Sequence, residues 1–242
     1  MSQLEKSLSI AWKDIRVYYL KASNLTYGVI MPVALYLAFS VAGNLSPTTL
    51  ISGLVSLVVL FGATSIEAVA VVSERTSGTF ERLLVAPISL RWILFGKALA
   101  GAALGPVTAI IALIPVLLIS GTAVASPTLI FIAIAVSSFA FACLGILASS
   151  FAKWIPEAQM YSNFLRFPMA FLGGAFIPVE SMPPILQTIS RLLPLTYSIE
   201  ALNQGMTYPL ATTMYAVDIA VLAAFSALCL LLSSKVLSRK IG

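Results

Sequence analysis

The residues Ser73–Pro87 read SERTSGTFERLLVAP and separate two long apolar runs of the chain. Gly78 is expected to end the helix that arrives through residues 50–72, because glycine is a poor helix former. Thr79 is expected to cap a second helix through its hydroxyl, with Glu81 in the first turn complementing the helix dipole. The stretch therefore predicts a helical break followed by a new, short helix.

This short helix is predicted to be amphipathic. Phe80, Leu83 and Leu84 recur at i, i+3 and i+4, which places them on one face, and Pro87 is a natural stop. A helix of about two turns is unstable alone in water. We therefore expect it to lie on a surface, either a bilayer interface or a partner protein.

Composition places the whole chain in a membrane. The chain has 242 residues, of which 60% are hydrophobic, and a mean hydropathy of +1.01. A soluble domain would need more polar residues to cover its surface. Cys143 and Cys229 lie in apolar runs and indicate neither a disulfide nor a redox pair. The chain has no histidine and no phosphate-binding loop motif, so any ATP that drives it must be bound by another chain.

Hydropathy predicts an all-α, polytopic membrane protein with six transmembrane helices in a single domain over residues 1–242. An interfacial helix is expected within residues 1–24, with an apolar stripe and with its cations facing headgroups. Residues 73–90 form a loop, and residues 178–213 form an outer loop with a short re-entrant helix at Ile185–Leu193. The predicted spans are Leu25–Gly43, Leu50–Val72, Ala98–Ile119, Thr128–Ser150, Met160–Ile177 and Met214–Ser234, and the interfacial stripe is Leu4, Leu8, Ala11, Ile15 and Tyr18.

The basic residues predict the orientation. Six spans place both termini on one side, together with thirteen of the fourteen lysines and arginines, which leaves only Arg191 opposite. Cytoplasmic loops carry the excess of positive charge. The termini and residues 73–90 are therefore expected in the cytoplasm of a multi-pass cell-membrane protein, in contact with anionic lipid and not with nucleic acid.

Residues 74–87 resemble the cytoplasmic signature of the type-two ABC exporter permeases, exemplified by antibiotic-resistance and nodulation-factor exporters. The resemblance implies that this loop touches a separate ATPase subunit, and chance similarity of an amphipathic loop helix is the alternative. The residues that this resemblance assigns to ATPase coupling are Glu74, Arg75, Gly78, Thr79, Phe80, Glu81, Arg82, Leu83, Leu84 and Pro87.

A second stretch, residues 173–202, is similar to the outer gate region of the same family. Asn203 departs from this pattern, because many relatives carry arginine there, so an ion pair at this position is in doubt. Without the resemblance, the stretch is a proline-rich outer loop. The residues assigned to the outer gate are Gly174, Pro178, Glu180, Pro194 and Tyr197.

Other residues leave alternatives open. Phe164, Phe167 and Phe171 share one helical face that could line a substrate path, although lipid contact or core packing is commoner. Glu67 and Asp218 could relay ions, but both look shallow enough to reach an interface or a basic partner. The small residues of the run Gly101–Gly105 fit helix packing or a dimer seam.

The sequence thus predicts the permease subunit of an ABC exporter, without catalytic residues, metal or cofactor of its own. The resemblance implies two copies of a cytoplasmic ATPase that bind ATP and magnesium, and a second permease copy in a homodimer or related heterodimer. The expected cargo is hydrophobic or amphipathic, drug-like or lipid-like. Export of polysaccharide or lipid-linked glycan is the alternative, and an ion-coupled secondary carrier or a membrane-embedded enzyme is weaker.

Overall fold

The computed structural model of the protein describes residues 3–16, 34, 37 and 46–241. Within those ranges the chain forms helices and no strand. A 3-10 turn is present at Val179–Ser181. The helices are α1 (Gln3–Asp14), α2 (Pro47–Thr76), α3 (Thr79–Val85), α4 (Leu90–Ser120), α5 (Pro127–Phe151), α6 (Ile155–Leu172), α7 (Pro184–Ser190), α8 (Pro194–Thr207) and α9 (Thr213–Ile241).

The long helices begin and end at recognisable signals. The Ser46 hydroxyl accepts a hydrogen bond from the Thr49 amide at the start of α2, and Ser126 caps α5 in the same way. Proline follows each cap at the first helical position, where its missing N–H costs nothing. Gly121 ends α4 in the left-handed conformation, with φ 64°.

The core forms where α2 and α5 pack together, with α4, α8 and α9 around them. In the most apolar 18-residue stretch of α2, 89% of the residues are buried. The corresponding fractions are 39% in α4 and 28% in α9. Added Cβ atoms at Gly101 and Gly105 would come within 2.6 Å of Ala142 and 1.8 Å of Ser138. These glycines therefore allow α4 to approach α5, which agrees with the first of the two alternatives for the small-residue run, packing within the chain.

Four of the described helices, α2, α4, α5 and α9, are long and apolar enough to cross a membrane. They correspond to the second, third, fourth and sixth predicted spans. The first predicted span, Leu25–Gly43, lies outside the described residues except for Ala34 and Leu37. The count of six spans therefore stays a prediction.

The fifth predicted span, Met160–Ile177, has the wrong bounds. Helix α6 runs from Ile155 to Leu172, and the chain bends after it through Gly174, whose φ is 91°. The start of α6 carries polar side chains, which lowers its hydropathy below that of the four candidate spans.

The outer connection contains more helix than expected. The short helix predicted at Ile185–Leu193 is present as α7, Pro184–Ser190. Helix α8 was not predicted, yet it packs against α2, α5 and α9 and buries Leu195 and Leu202 almost fully. The re-entrant character of this region stays a prediction.

Candidate functional site

The loop helix α3 has the predicted length but a different cap. Gly78 is the N-cap residue, with φ 70°, and no side chain caps the helix. The Thr79 hydroxyl lies 2.8 Å from that of Ser77 instead, so the predicted Thr79 cap is wrong. A left-handed residue reverses the chain direction without a side-chain cap, and glycine adopts that conformation at little cost.

The apolar side of helix α3 lies against other helices of the same chain. Phe80 is only 2% exposed and packs with Ile10 of α1 and Ile93 of α4. Leu83 and Leu84 are partly buried against the same cluster. The predicted apolar face is thus confirmed, and its surface is formed by α1 and α4.

The opposite face of α3 is open. Thr79, Glu81 and Arg82 are exposed, and Val85 is 88% exposed at the helix end. We call this set, Thr79, Glu81, Arg82 and Val85, the loop face. It presents two charges and one large apolar side chain to whatever lies beyond the helix.

Four charged residues meet behind α3, where α1, α2 and α4 come together. The Lys97 ammonium lies 2.9 Å from Asp14 Oδ2 and 2.5 Å from Glu74 Oε2. The Lys13 ammonium lies 2.5 Å from Glu74 Oε1 and 3.0 Å from Asp14 Oδ1. We call Lys13, Asp14, Glu74 and Lys97 the ionic cluster.

The ionic cluster is electrically neutral and mostly buried. The side chains of Asp14 and Lys97 are fully buried, whereas that of Lys13 is 38% exposed. Burial alone would lower the pKa of Lys13, but the hydrogen bond to Glu74 and the attraction of Asp14 outweigh it, so the pKa is raised. Buried charges persist only with such partners, so the cluster joins α1 to both long helices.

Because residues 1–24 and the loop share one interface, Lys13 or Arg16 is predicted from the sequence to pair with Glu74, and the structure confirms the pair for Lys13. Arg16 lies over the ring of Trp12 instead, 5.0 Å from its centroid. The sequence did not predict Asp14 or Lys97 as members of this site. Glu74 is buried, so it lies behind the loop face and not on it.

The face of α1 that is buried within the chain differs from the predicted apolar stripe, and the interfacial position of this helix stays a prediction. Its buried residues are Ser7, Ile10, Ala11 and Asp14, whereas Leu4 and Leu8 of the predicted apolar stripe are about half exposed. The ion pairs of Asp14 with Lys13 and Lys97 compensate its burial, because an unpaired buried carboxylate would be costly. Tyr18 of the stripe lies outside the described residues.

Two further bonds brace the loop. The Arg75 guanidinium donates to the carbonyl oxygens of Ser149 and Ala152, at 3.3 and 3.1 Å, at the end of α5. The Lys6 ammonium donates to the carbonyl of Pro87 at 2.7 Å. The two ends of the loop are thus tied to α5 and α1.

Two charged residues outside the ionic cluster are fully buried. Glu67 lies where α2 passes Gly101 and Gly145, and it is close enough to Lys97 for their charges to attract, which agrees with the expectation of a basic partner. Arg166 of α6 is also fully buried. Its guanidinium donates to the carbonyl of Phe61 at 3.1 Å and to Asn163 at 2.5 Å. An arginine inside a short apolar helix was the available signal, because such a charge must find partners.

Three of the outer gate residues come together. Gly174, Pro178 and Glu180 line a cavity of about 120 Å³ with Glu200 and Asn203 of α8. Burial, and then repulsion by Glu180, raises the pKa of Glu200.

The other two gate residues lie apart from that cavity. Pro194 is buried at the first turn of α8, and the Tyr197 hydroxyl donates to the Arg191 carbonyl at 2.6 Å. Asp218 of α9 is buried and accepts a hydrogen bond from the Gln204 side chain at 2.7 Å. The hydrogen bonds of Tyr197 and Asp218 thus both hold α8 in place.

The aromatic stripe of α6 points outward. Phe164, Phe167 and Phe171 are 77%, 39% and 50% exposed. Phe167 also meets Phe61 edge to face, with centroids 5.8 Å apart.

Among the described residues, no group of three or more metal-ligating side chains comes together.

The comparison with known families decides what this arrangement is. A model of the family described as ABC-2 type transporter matches residues 6–207. These residues contain the loop helix, the ionic cluster and the cavity beside Gly174. The chain belongs to the ABC-2 type transporter family. Members of this family are membrane components of transport systems and are not themselves catalytic, so the chain is a multi-pass membrane transport permease.

Named relatives agree with the family. The chain is 27% identical over 184 residues to the inner membrane transport permease YadH of Escherichia coli strain K12, covering 74% of this chain and 72% of that one. It is 30% identical over 211 residues to nodulation protein J of Rhizobium leguminosarum bv. trifolii, covering 81% and 77%. Over a shorter segment of 73 residues it is 40% identical to nodulation protein J of Sinorhizobium fredii.

Proposed function

We propose that this ABC-2 permease is the export subunit of a pump that is driven by a separate ATPase, and that the ATPase docks on the loop face. The observation that carries the proposal is the asymmetry of α3. Its apolar side is anchored by Phe80 against α1 and α4, whereas Glu81 and Arg82 are exposed.

The contacts behind α3 provide a route for movement. A push on the loop face acts on Phe80, then on α1 through Ile10 and on α4 through Ile93. The ionic cluster joins those two helices to α2. Packed helices with fixed polar contacts move as rigid bodies rather than deform continuously, so closure of the ATPase would tilt α2 and α4 together.

We propose a dimer of permease chains with two ATPases beneath it, and a hydrophobic or amphipathic cargo that is drug-like or lipid-like. The exposed aromatic stripe of α6 supports an apolar path bounded by Phe164, Phe167 and Phe171. A lipid-linked glycan is the alternative cargo, supported by the similarity to relatives named nodulation protein J.

The test uses the tagged full-length chain, purified from its native membrane with its associated subunits. An ATPase should co-purify, and Glu81→Ala with Arg82→Ala should weaken its binding at least about 10-fold, the loss typical of an interface hot spot. Arg239→Ala, which removes an exposed cation from the end of α9, is the matched control.

Folding should survive the double substitution, because neither side chain is buried. Unimpaired ATPase binding and export by the double variant would remove α3 as the docking element. A purified chain that transports alone along an ion gradient would overturn the pump itself.

A further inference from the structure

A seam on the outside of the molecule combines a cationic end with an apolar groove. It runs between α4 and α9, whose apolar stretches are the least buried among the four candidate spans. Two cavities lie in it, one against residues 89–91 and 231–238 and the other against residues 95–102 and 223–230. They follow one another along the same pair of helices, so they form a single elongated surface.

The first cavity, of about 630 Å³, is the polar end. Arg91 and Lys235 are exposed on opposite walls. Within residues 3–16, 34, 37 and 46–241, the recorded ion pairs include neither of them. Residues 89–102 and 223–239 contain no acidic residue. The polar end is lined by Ser89, Arg91, Leu231, Ser234, Lys235 and Ser238.

The second cavity, of about 470 Å³, is almost wholly apolar. Phe95, Leu99 and Ala102 of α4 form one wall, and Ala223 and Ala227 of α9 form the other. Alanines on α9 leave space between the helices, because their side chains end at Cβ. Phe139 of α5 closes the floor.

The dimensions match one leaflet of a bilayer. From Arg91 to Ala102 the helix rises about 16 Å, which is close to half of the roughly 30 Å hydrocarbon core. Juxtamembrane cations attract anionic headgroups, and apolar surface beside them takes acyl chains. The seam is thus charged where headgroups lie and apolar where acyl chains lie.

We propose that this seam binds one anionic phospholipid, with its phosphate between Arg91 and Lys235 and an acyl chain along Phe95, Leu99 and Ala227. The lipid belongs to the leaflet on the side of the molecule where the ionic cluster lies. It holds α4 against α9. Its site is separate from the cargo path proposed above, because the aromatic stripe of α6 does not line either cavity.

Native mass spectrometry of the purified full-length chain tests the headgroup. Phosphatidylglycerol and phosphatidylcholine with identical acyl chains are titrated separately. The wild-type chain should bind one phosphatidylglycerol at least about 10-fold more tightly, because each nearby cation contributes roughly a five-fold preference for anionic lipid. Equal binding of the two lipids overturns the proposal.

Two double variants separate this seam from general surface charge. Arg91→Gln with Lys235→Gln should reduce the preference for phosphatidylglycerol at least about 10-fold, whereas the control Arg82→Gln with Arg239→Gln should preserve it. An equal loss of this preference in both double variants would show that the lipid is attracted by surface charge alone. That result would contradict a binding site in the seam. All four side chains are exposed, so folding is expected to survive.

The apolar section has its own test in vesicles. A cysteine at Ala227, in a Cys143→Ala and Cys229→Ala background, carries bimane, and brominated phosphatidylglycerol should quench its fluorescence more than brominated phosphatidylcholine. If residues 17–45 of this chain or a second copy occupy the groove, neither lipid quenches the probe. That result would overturn the proposal.

Discussion

At the scale of single residues, the ionic cluster is a costly arrangement that depends on its three buried members. Asp14, Glu74 and Lys97 have almost no exposed side-chain surface, so each depends on the others for compensation. Removing one partner from such a group leaves an uncompensated buried charge, which typically costs more than the intact pairs contribute.

Lys97→Met should therefore destabilise the protein strongly, by about 3–5 kcal/mol. Lys13→Met should cost under about 1 kcal/mol, because Lys13 is 38% exposed and water screens its pairs. Thermal unfolding of the purified protein in detergent measures both. A double-mutant cycle of Asp14→Asn with Lys97→Met should show coupling, and additive losses would mean that the two side chains do not interact in solution.

At the scale of elements, α3 depends on how the chain enters it. Gly78 adopts φ 70°, and an added Cβ would meet nothing within 4 Å. A substitution there is therefore opposed by backbone conformation and not by space. Left-handed backbone costs L-residues about 1–2 kcal/mol, and asparagine tolerates it better than other residues.

Gly78→Val should displace α3 and uncouple ATP hydrolysis from export, whereas Gly78→Asn should retain most of both. The physical reason is the backbone of the turn alone, because the substitution leaves the Phe80 side chain itself unaltered. Substrate-stimulated ATPase activity of the reconstituted complex is the measurement, with thermal stability recorded alongside. If the valine variant couples normally, the angle at which the chain enters α3 does not matter for transmission.

The elements show which parts of the fold were predictable. Hydropathy predicted α2, α4, α5 and α9, because long apolar runs depend on composition alone. It missed α8, because the prolines around Pro194–Thr207 resembled a loop and only tertiary packing buries its apolar face. The ionic cluster joins residues up to 83 positions apart in sequence, so only the Lys13 pair could be anticipated, from their shared interface.

At the scale of the whole molecule, the cations that predicted the topology lie at one end. Lys13 meets Glu74, Arg75 caps the end of α5 beside Lys153, and Arg91 shares a cavity with Lys235. The opposite end holds the Ser126 amide bonded to the Gly205 carbonyl. This arrangement supports alternating helix directions, and it is why we expect the loop face in the cytoplasm.

Cysteine labelling tests that orientation. In a Cys143→Ala and Cys229→Ala background, single cysteines at Ser77 and Ser238 should be shielded from an impermeant thiol reagent in intact cells. A cysteine at Thr188 should react, and all three positions are exposed on the molecule. Reaction at position 77 from outside would reverse the topology, and labelling after permeabilisation controls for accessibility.

The cargo prediction follows from the surface that the molecule offers for transport. A glycan path would need hydroxyl, amide and stacking groups along its length, whereas the exposed face of α6 presents mainly phenylalanine. Apolar walls with few polar groups suit an amphipathic molecule that enters from the inner leaflet. Phe164 is the sharper probe, because Phe167 also packs on Phe61.

We expect hydrophobic cations and lipids to stimulate the ATPase activity of the reconstituted complex, and Phe164→Ala to reduce that stimulation several-fold. The loss of a large aromatic contact accounts for about 1–3 kcal/mol of apolar burial. Phe131→Ala removes a similarly exposed ring, 56% exposed, from α5, and it should leave the stimulation intact if the path follows α6. Stimulation by lipid-linked glycans alone, with Phe164→Ala indifferent to every hydrophobic compound, would favour the glycan cargo. The aromatic stripe would then be a surface for lipid or for the second permease copy.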